Sequence, residues 1–98
     1  MTIYAVQYTY DERSAVRDAT RAAHRQYLGS LEATGVLLAS GPYVGPTDGS
    51  TPDGALLMVR ADSVRDVAAH LDVDPFAVAG VISERTVREW TLVFGPWV

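Results

Sequence analysis

Two side chains in the sequence have types and settings that suit proton transfer, and His24 is the first. It lies in the segment RAAHRQYL, beside Ala23 and four residues before Leu28. On a helix this spacing places the imidazole at the edge of an apolar stripe, facing a sheet or a cleft beside it. A neutral imidazole is available near physiological pH, so His24 could act as a general base. The alternative is a structural histidine at a helix border that bonds to a neighbouring carbonyl.

Asp74 is the second candidate. It is followed by Pro75, and this pair is typical of a helix N-cap and first turn, because Asp accepts a backbone N–H and Pro lacks one. The catalytic alternative is that Asp74 orients His24, holds one of its tautomers and stabilises the imidazolium. The two roles are compatible only if one carboxylate oxygen remains free. Of the two, the sequence favours capping.

Arginines recur every four residues around His24, at Arg13, Arg17, Arg21 and Arg25. A like-charged stripe with this spacing is typical of a solvated helix face. Arg21 differs because it lies three residues before His24 and is therefore its neighbour on the same side. It could bind an anionic group of a substrate, and its charge would favour a neutral His24.

Four further side chains are candidates for binding a substrate. A base that is sealed in the core meets no substrate, so a cleft should open beside His24 and Asp74, lined by some of Tyr27, Ser40, Tyr43 and Phe76. Aromatic walls suit an aromatic or cyclic ligand, although buried aromatic residues belong to a core more often than to a site.

The composition bounds the class of protein. The 98 residues, 48% of them hydrophobic and 20% charged, predict one globular domain over residues 1–98. Cysteine is absent, which excludes disulfides and thiolate chemistry. The net charge of -4 argues against binding to nucleic acid or to an anionic membrane. Without a signal-peptide pattern or an apolar run of about 20 residues, we expect a cytoplasmic protein.

Motifs for bound cofactors are also lacking. The only two histidines have no metal-ligand spacing. The Gly-rich stretch at 45–54 joins two predicted strands rather than opening a helix, and it lacks the lysine of a phosphate-binding loop. Ser40 precedes Gly-Pro and not a helix, so it is no nucleophile elbow. We therefore expect neither a metal nor a cofactor.

The elements that must position these residues follow from periodicity. Alternation and β-branched residues predict strands at 3–9, 36–40, 55–60 and 81–93; helical spacing predicts helices at 13–33 and 63–71, and a short turn of helix from Asp74 to Gly80. Loop 45–54 is predicted to be mobile. This strand–helix–strand–strand–helix–strand order favours an α+β, ferredoxin-like βαββαβ fold: a four-stranded antiparallel sheet with both helices on one face. The other face would be bare and apolar, which predicts a homodimer formed face to face.

The ordered motifs resemble the YCII-related protein family. They are His24 with Leu28, the turn Ser40-Gly41-Pro42, Asp74-Pro75-Phe76 with Gly80, and Trp90 in the last strand. The resemblance covers nearly the whole chain. It implies a dimeric ferredoxin-like protein of the α/β-barrel type, with a His and an Asp, here His24 and Asp74, lining a pocket. It also implies a mostly unassigned function, with some members linked to elimination or dehalogenation of aromatic compounds.

Two functions of different classes remain open. The leading hypothesis is an enzyme without cofactor that transfers a proton on a small, cyclic or aromatic, acidic molecule, leading to isomerisation or elimination; cofactorless oxygenation stays open by analogy of fold. His24 would be the base, Asp74 its partner and Arg21 an anchor for an anion. The rival is a non-catalytic ligand-binding or accessory protein of the same fold, in which His24 and Asp74 are structural.

Overall fold

A computed structural model describes residues 1–45 and 53–98. The strands are β1 (Thr2–Tyr10), β2 (Leu37–Pro42), β3 (Gly54–Ala61) and β4 (Ile82–Glu89); the helices are α1 (Ser14–Ala33), α2 (Val64–Leu71) and the single turn α3 (Pro75–Val78). The four strands form one antiparallel sheet in the order β2-β3-β1-β4. The predicted ferredoxin-like fold is confirmed. The predicted mobile loop at 45–54 lies mostly outside the described residues.

Both long helices pack on the same face of the sheet. The alternate residues Val6 and Tyr8 of the central strand β1 belong to one buried cluster with Leu28 of α1 and Leu71 of α2. Between them lies Gln7, which is exposed and faces the other way. We call this second side of the sheet the open face. It is only partly bare, because Ile3 is buried there as well.

The buried stripe of α1 differs from the one that the sequence predicts. Hydrophobicity predicts a stripe through Val16, Ala19, Ala23, Leu28 and Leu31; Leu28 and Leu31 are buried, but Ala19 and Ala23 are exposed. The buried positions are Arg17, His24, Leu28 and Leu31, which share one side of a helix. Two of these four residues are polar, so a pattern based on apolar residues misses Arg17 and His24 and includes two exposed alanines in their place. His24 therefore lies in the buried stripe and not at its edge.

The arginine face of α1 is also corrected by the structure. Arg17, predicted to be solvated, is only 5% exposed. Its guanidinium donates to the backbone carbonyl of Asp11 and to the carboxylate of Asp53, and it lies 5.1 Å from the ring centre of Tyr10. Partners from two loops and a cation–π contact compensate for burying the charge.

Local sequence signals explain where the helices end. Gly35 takes a φ of 82° just after α1, and the N–H groups of Gly35 and Val36 donate to the carbonyls of Glu32 and Leu31. This is the Schellman arrangement, which favours glycine in the left-handed region. Ser63 caps α2 by accepting from the N–H of Asp66. None of the described helices is long and apolar enough to cross a bilayer.

The strand ends differ from the sequence prediction by more than one residue at two places, the ends of β4 and β2. β4 ends at Glu89 instead of continuing to residue 93, so Trp90 follows the strand, although its N–H still donates to the carbonyl of Ile3. β2 begins at Leu37 because the N–H of Val36 is used in ending α1. β2 then extends to Pro42, so Gly41 and Pro42 lie in the strand and not after it.

Candidate functional site

Asp74 is fully buried and makes three hydrogen bonds. It lies just before α3, where its Oδ1 accepts from the N–H of Phe76 at 3.0 Å and so caps the helix. The same Oδ1 lies 2.7 Å from Nδ1 of His24. Oδ2 accepts from the hydroxyl of Tyr8 at 3.0 Å. The sequence predicts that capping and contact with His24 are compatible only if one carboxylate oxygen is free. In the structure neither oxygen is free: Oδ1 serves both the cap and His24, and Oδ2 is bound to Tyr8.

His24 is held in one orientation by two neighbours. Its ring stacks on Phe76, with centroids 3.8 Å apart and planes 5° from parallel. Its Nδ1 contacts the carboxylate of Asp74, and an ionised carboxylate only accepts hydrogen bonds. Nδ1 must therefore carry the proton in the neutral imidazole, which leaves the lone pair on Nε2. This tautomer is the one required of a base that works through Nε2.

A phenol completes the buried end of the site. The pKa of the Tyr8 hydroxyl is raised, first by its burial and then by the negative charge of Asp74. Tyr8 therefore stays protonated and donates to the carboxylate. The pKa of Tyr10 is raised for the same two reasons, in the same order.

A cavity of about 380 Å³ opens beside His24, a volume in the range of small-molecule sites. Its apolar wall comes from both layers of the fold and includes Leu28, Leu37, Leu57, Tyr10 and Phe76. Its charged lining comes from α1: Arg21, Arg25 and Glu32. Ser40, Gly41 and Pro42 of β2 form another part of the wall. The arrangement can surround a flat, partly apolar molecule that has acidic groups.

Three of the five predicted substrate-binding residues line this cavity and two do not. Arg21, Ser40 and Phe76 are in its wall. Arg21 also forms an ion pair with Asp18, with an N–O distance of 2.7 Å.

Tyr27 and Tyr43 are corrections. The Tyr27 hydroxyl donates to the carbonyl of His70 at 2.5 Å, because the last turn of α2 has carbonyls without helical partners. The Tyr43 hydroxyl donates to Gln7 at 3.1 Å, on the open face.

Sequence reasoning missed several residues of the site. Tyr10, Arg25 and Glu32 line the cavity, and Tyr8 bonds to Asp74. Tyr8 carries a usable signal, because strand alternation places it on the same face as Tyr4 and Val6, and a buried tyrosine hydroxyl usually finds a hydrogen-bond partner. Arg25 was assigned to a solvated stripe. In the described part of the chain, no three His, Asp or Glu side chains converge as metal ligands.

The fold and site define a small ferredoxin-like α+β protein with a buried His–Asp contact at the wall of a ligand-sized cavity. Its sequence matches the YCII-related domain over residues 1–91, so the chain belongs to the YCII-related family. Among curated proteins, no sequence matches this chain significantly.

Solved structures with this fold fall into two groups of similarity. 5-chloro-2-hydroxyhydroquinone dehydrochlorinase from Burkholderia phenoliruptrix AC1100, in complex with 2,5-dihydroxybenzoquinone, is 28% identical, with a TM-score of 0.77 over 91% of this chain and 93% of that chain. A dimeric ferredoxin-like protein of unknown function from Jannaschia sp. CCS1 is 14% identical, with a TM-score of 0.57 over 94% and 100% of the two chains. A similar dimeric protein from Bacteroides fragilis NCTC 9343 is 14% identical, with a TM-score of 0.53 over 93% and 95%. The last two show the fold alone.

Proposed function

We propose that this protein is an enzyme that transfers a proton on a small, hydroxylated cyclic or aromatic molecule, with His24 as the general base. The observation that carries the proposal is the 2.7 Å contact between Nδ1 of His24 and the buried Asp74, made at the wall of a cavity. A base needs a defined tautomer, a partner for its charged form and access to substrate. The contact with Asp74 supplies the first two, and the cavity supplies the third.

The reaction follows from these positions. Nε2 of His24 takes a hydroxyl or ring C–H proton from the substrate, and the resulting imidazolium is stabilised by ionised Asp74. The electron pair left on the substrate moves into its ring, which either isomerises or expels a leaving group as an anion. The proton then returns from Nε2 to the product or to solvent. Protein groups alone carry out these steps, without a metal or another cofactor.

One of the similar proteins catalyses an elimination. The Burkholderia protein is a dehydrochlorinase of a chlorinated hydroxyhydroquinone, and its structure holds a dihydroxybenzoquinone. Such molecules are flat, cyclic and acidic, which matches the apolar wall and the arginines of this cavity. We therefore place hydroxylated quinones and hydroquinones first among the candidate substrates.

The deciding experiment compares the only two histidines of the chain. Purified protein is incubated with 5-chloro-2-hydroxyhydroquinone, and chloride release and absorbance are followed. We expect His24→Gln to lower kcat/KM by at least about 100-fold, the usual contribution of a positioned base, while His70→Gln, outside the cavity, stays close to the native value. Equal rates for native protein and His24→Gln would refute the role of His24.

A ligand-binding function is the second candidate, because Asp74 also has a structural task. It caps α3 and lies entirely in the core, so the contact with His24 also joins α1 to α3. Calorimetry with 2,5-dihydroxybenzoquinone separates the two functions. Tight binding without turnover of any hydroxylated quinone or hydroquinone would favour the binding protein.

We also propose that two copies associate through the open face. The similar proteins from Jannaschia and Bacteroides are described as dimeric. On this chain, Leu56 lies on the open face next to Met58 and Ala39. Sedimentation should give twice the chain mass for native protein and for Val64→Lys on the exposed side of α2, and the chain mass for Leu56→Lys. A native monomer at micromolar concentration would disprove the dimer.

A further inference from the structure

Oδ1 of Asp74 contacts His24 in the proposed proton transfer, whereas Oδ2 accepts a hydrogen bond from Tyr8, which takes no part in that transfer. Tyr8 lies in the central strand β1, is 1% exposed and donates its hydroxyl to Oδ2 of Asp74 at 3.0 Å. Its partner is 66 residues away along the chain. Tyr8 is not among the residues that line the cavity, so it is not placed to touch a substrate there.

We propose that Tyr8 is a positioning residue that acts through Asp74: it fixes the rotation of the carboxylate and limits how strongly the carboxylate holds a proton on His24. The proposal rests on the proposed function of His24 as a base. A carboxylate with both oxygens bound cannot turn away from the imidazole. A carboxylate that shares its charge with a phenol also attracts the imidazolium proton less strongly.

The charged and titratable groups around the pair come from β1, β4 and α1. On β1, Tyr10 faces Asp74, and on β4, Arg85 lies near Tyr8. On α1, Arg21 and Arg25 line the cavity beside His24, as does Glu32. The Tyr8 hydroxyl is the only side-chain donor to Oδ2 among the described residues. Its removal therefore changes the pair without altering the surrounding charges.

The direction of the effect follows from which state the phenol stabilises. With neutral His24, Asp74 carries a full negative charge, and the Tyr8 hydrogen bond is strong. With the imidazolium present, part of that charge is neutralised, and the same bond is weaker. Tyr8 therefore favours the unprotonated imidazole, and its removal should raise the pKa at which the pair takes up a proton.

The test is an NMR titration of the His24 ring in a His70→Gln background, where it is the only histidine. Adding Tyr8→Phe should move the midpoint upward by roughly one pH unit, as expected for a hydrogen bond to a charged group. Tyr4→Phe is the matched control, since Tyr4 is buried in the same core and does not bond to Asp74. It should leave the midpoint unchanged.

The result does not depend on turnover, so it stays distinct from a failure of the proposed enzyme. An unchanged or lowered midpoint in a folded Tyr8→Phe protein overturns the proposal. If Tyr8→Phe does not fold, the hydroxyl proton of Tyr8 is followed by NMR in the His70→Gln protein. It should move upfield as His24 becomes protonated, and a fixed resonance overturns the proposal equally. Where a substrate is turned over, the acid limb of kcat/KM should shift with the NMR midpoint, while KM changes less than kcat.

Discussion

Arg17 and His24 form two polar clusters on the same side of α1, seven residues apart. Each stacks on or lies over an aromatic ring, Tyr10 for Arg17 and Phe76 for His24, and each contacts an aspartate. The aspartates differ: the Asp53 side chain is 76% exposed, whereas that of Asp74 is 0% exposed. The rings of Tyr10 and Phe76 are in contact edge to face, with centroids 5.5 Å apart. Two clusters with the same kinds of contact therefore differ in how much of each is removed from water.

This difference separates a structural cluster from a candidate active site. Arg17 ties α1 to loops, and its exposed partner can be replaced by water. The His24 cluster has partners that water does not reach, and it borders the cavity. Buried polar groups are costly unless they are fully paired. A buried polar side chain that has all its hydrogen-bond partners and still faces a cavity is therefore the feature that identifies a candidate active site.

The largest effect is expected where the two aspartates are compared directly. Asp74→Ala removes a helix cap and leaves the buried Tyr8 hydroxyl without an acceptor, so unfolding in urea should show a loss of about 3 kcal/mol. Asp53→Ala removes an exposed carboxylate from Arg17, which keeps its hydrogen bond to the carbonyl of Asp11, and the loss should stay below about 1 kcal/mol. Similar losses for both variants would contradict the distinction between the clusters.

Gly54 lies next to Asp53, and its substitution tests the strand that carries Tyr8. A Cβ at this position would lie 2.3 Å from the carbonyl oxygen of Tyr8, which is backbone and cannot move freely. Gly54→Ala should therefore destabilise the protein by about 2 kcal/mol, as overpacking does. Gly41→Ala is the control, since a Cβ there meets nothing within 4 Å, and it should change stability by less than about 0.5 kcal/mol. A Gly54→Ala protein as stable as Gly41→Ala would show that the backbone of β1 at Tyr8 can shift at little cost in stability.

The arginines of α1 divide in the same way, because Arg21 and Arg25 line the cavity and Arg17 is bound elsewhere. Arg21→Gln and Arg25→Gln should each weaken binding of 2,5-dihydroxybenzoquinone by about threefold to tenfold, measured by calorimetry, since each removes a partly exposed charge. The larger loss is expected for Arg25, because the charge of Arg21 is partly neutralised by Asp18. Arg65→Gln, on the exposed side of α2, should bind like native protein. Unchanged affinity in both Arg21→Gln and Arg25→Gln would mean that these arginines do not bind the ligand.

The sequence predicts the order of elements and the sheet because alternation in β1 and β3 and helical spacing in α2 are local patterns. It also predicts that Asp74 caps a helix, since Asp-Pro is a local signal. It does not predict the burial of Arg17, whose partner Asp53 is 36 residues away. Tyr8 and Asp74 are likewise brought together only by the fold. The side of the sheet that Tyr43 faces depends on the register of β2 against β3, which shifts between Leu37 and Ala39 and is not a local pattern.

The smallest effect is expected for Asp11, whose backbone carbonyl accepts a hydrogen bond from Arg17. The guanidinium of Arg13 donates to the Asp11 carboxylate and lowers its pKa below the ordinary value of 3.8. A lowered pKa means that Asp11 stabilises the folded chain at pH values above its unfolded pKa, and that this contribution is lost as the pH falls through its folded pKa. Asp11→Asn should therefore unfold at a slightly lower urea concentration than native protein at about pH 7, and the difference should disappear by about pH 2.

Glu12→Gln controls for the loss of a neighbouring exposed charge and should show a smaller difference at about pH 7. A difference between native protein and Asp11→Asn that stays constant over this range would mean that its origin is not the ionised carboxylate. Because Asp11 is accessible to water and Asp74 is not, a small, reversible acid effect in Asp11→Asn beside a large loss in Asp74→Ala would show that the Arg17 and His24 clusters differ in kind.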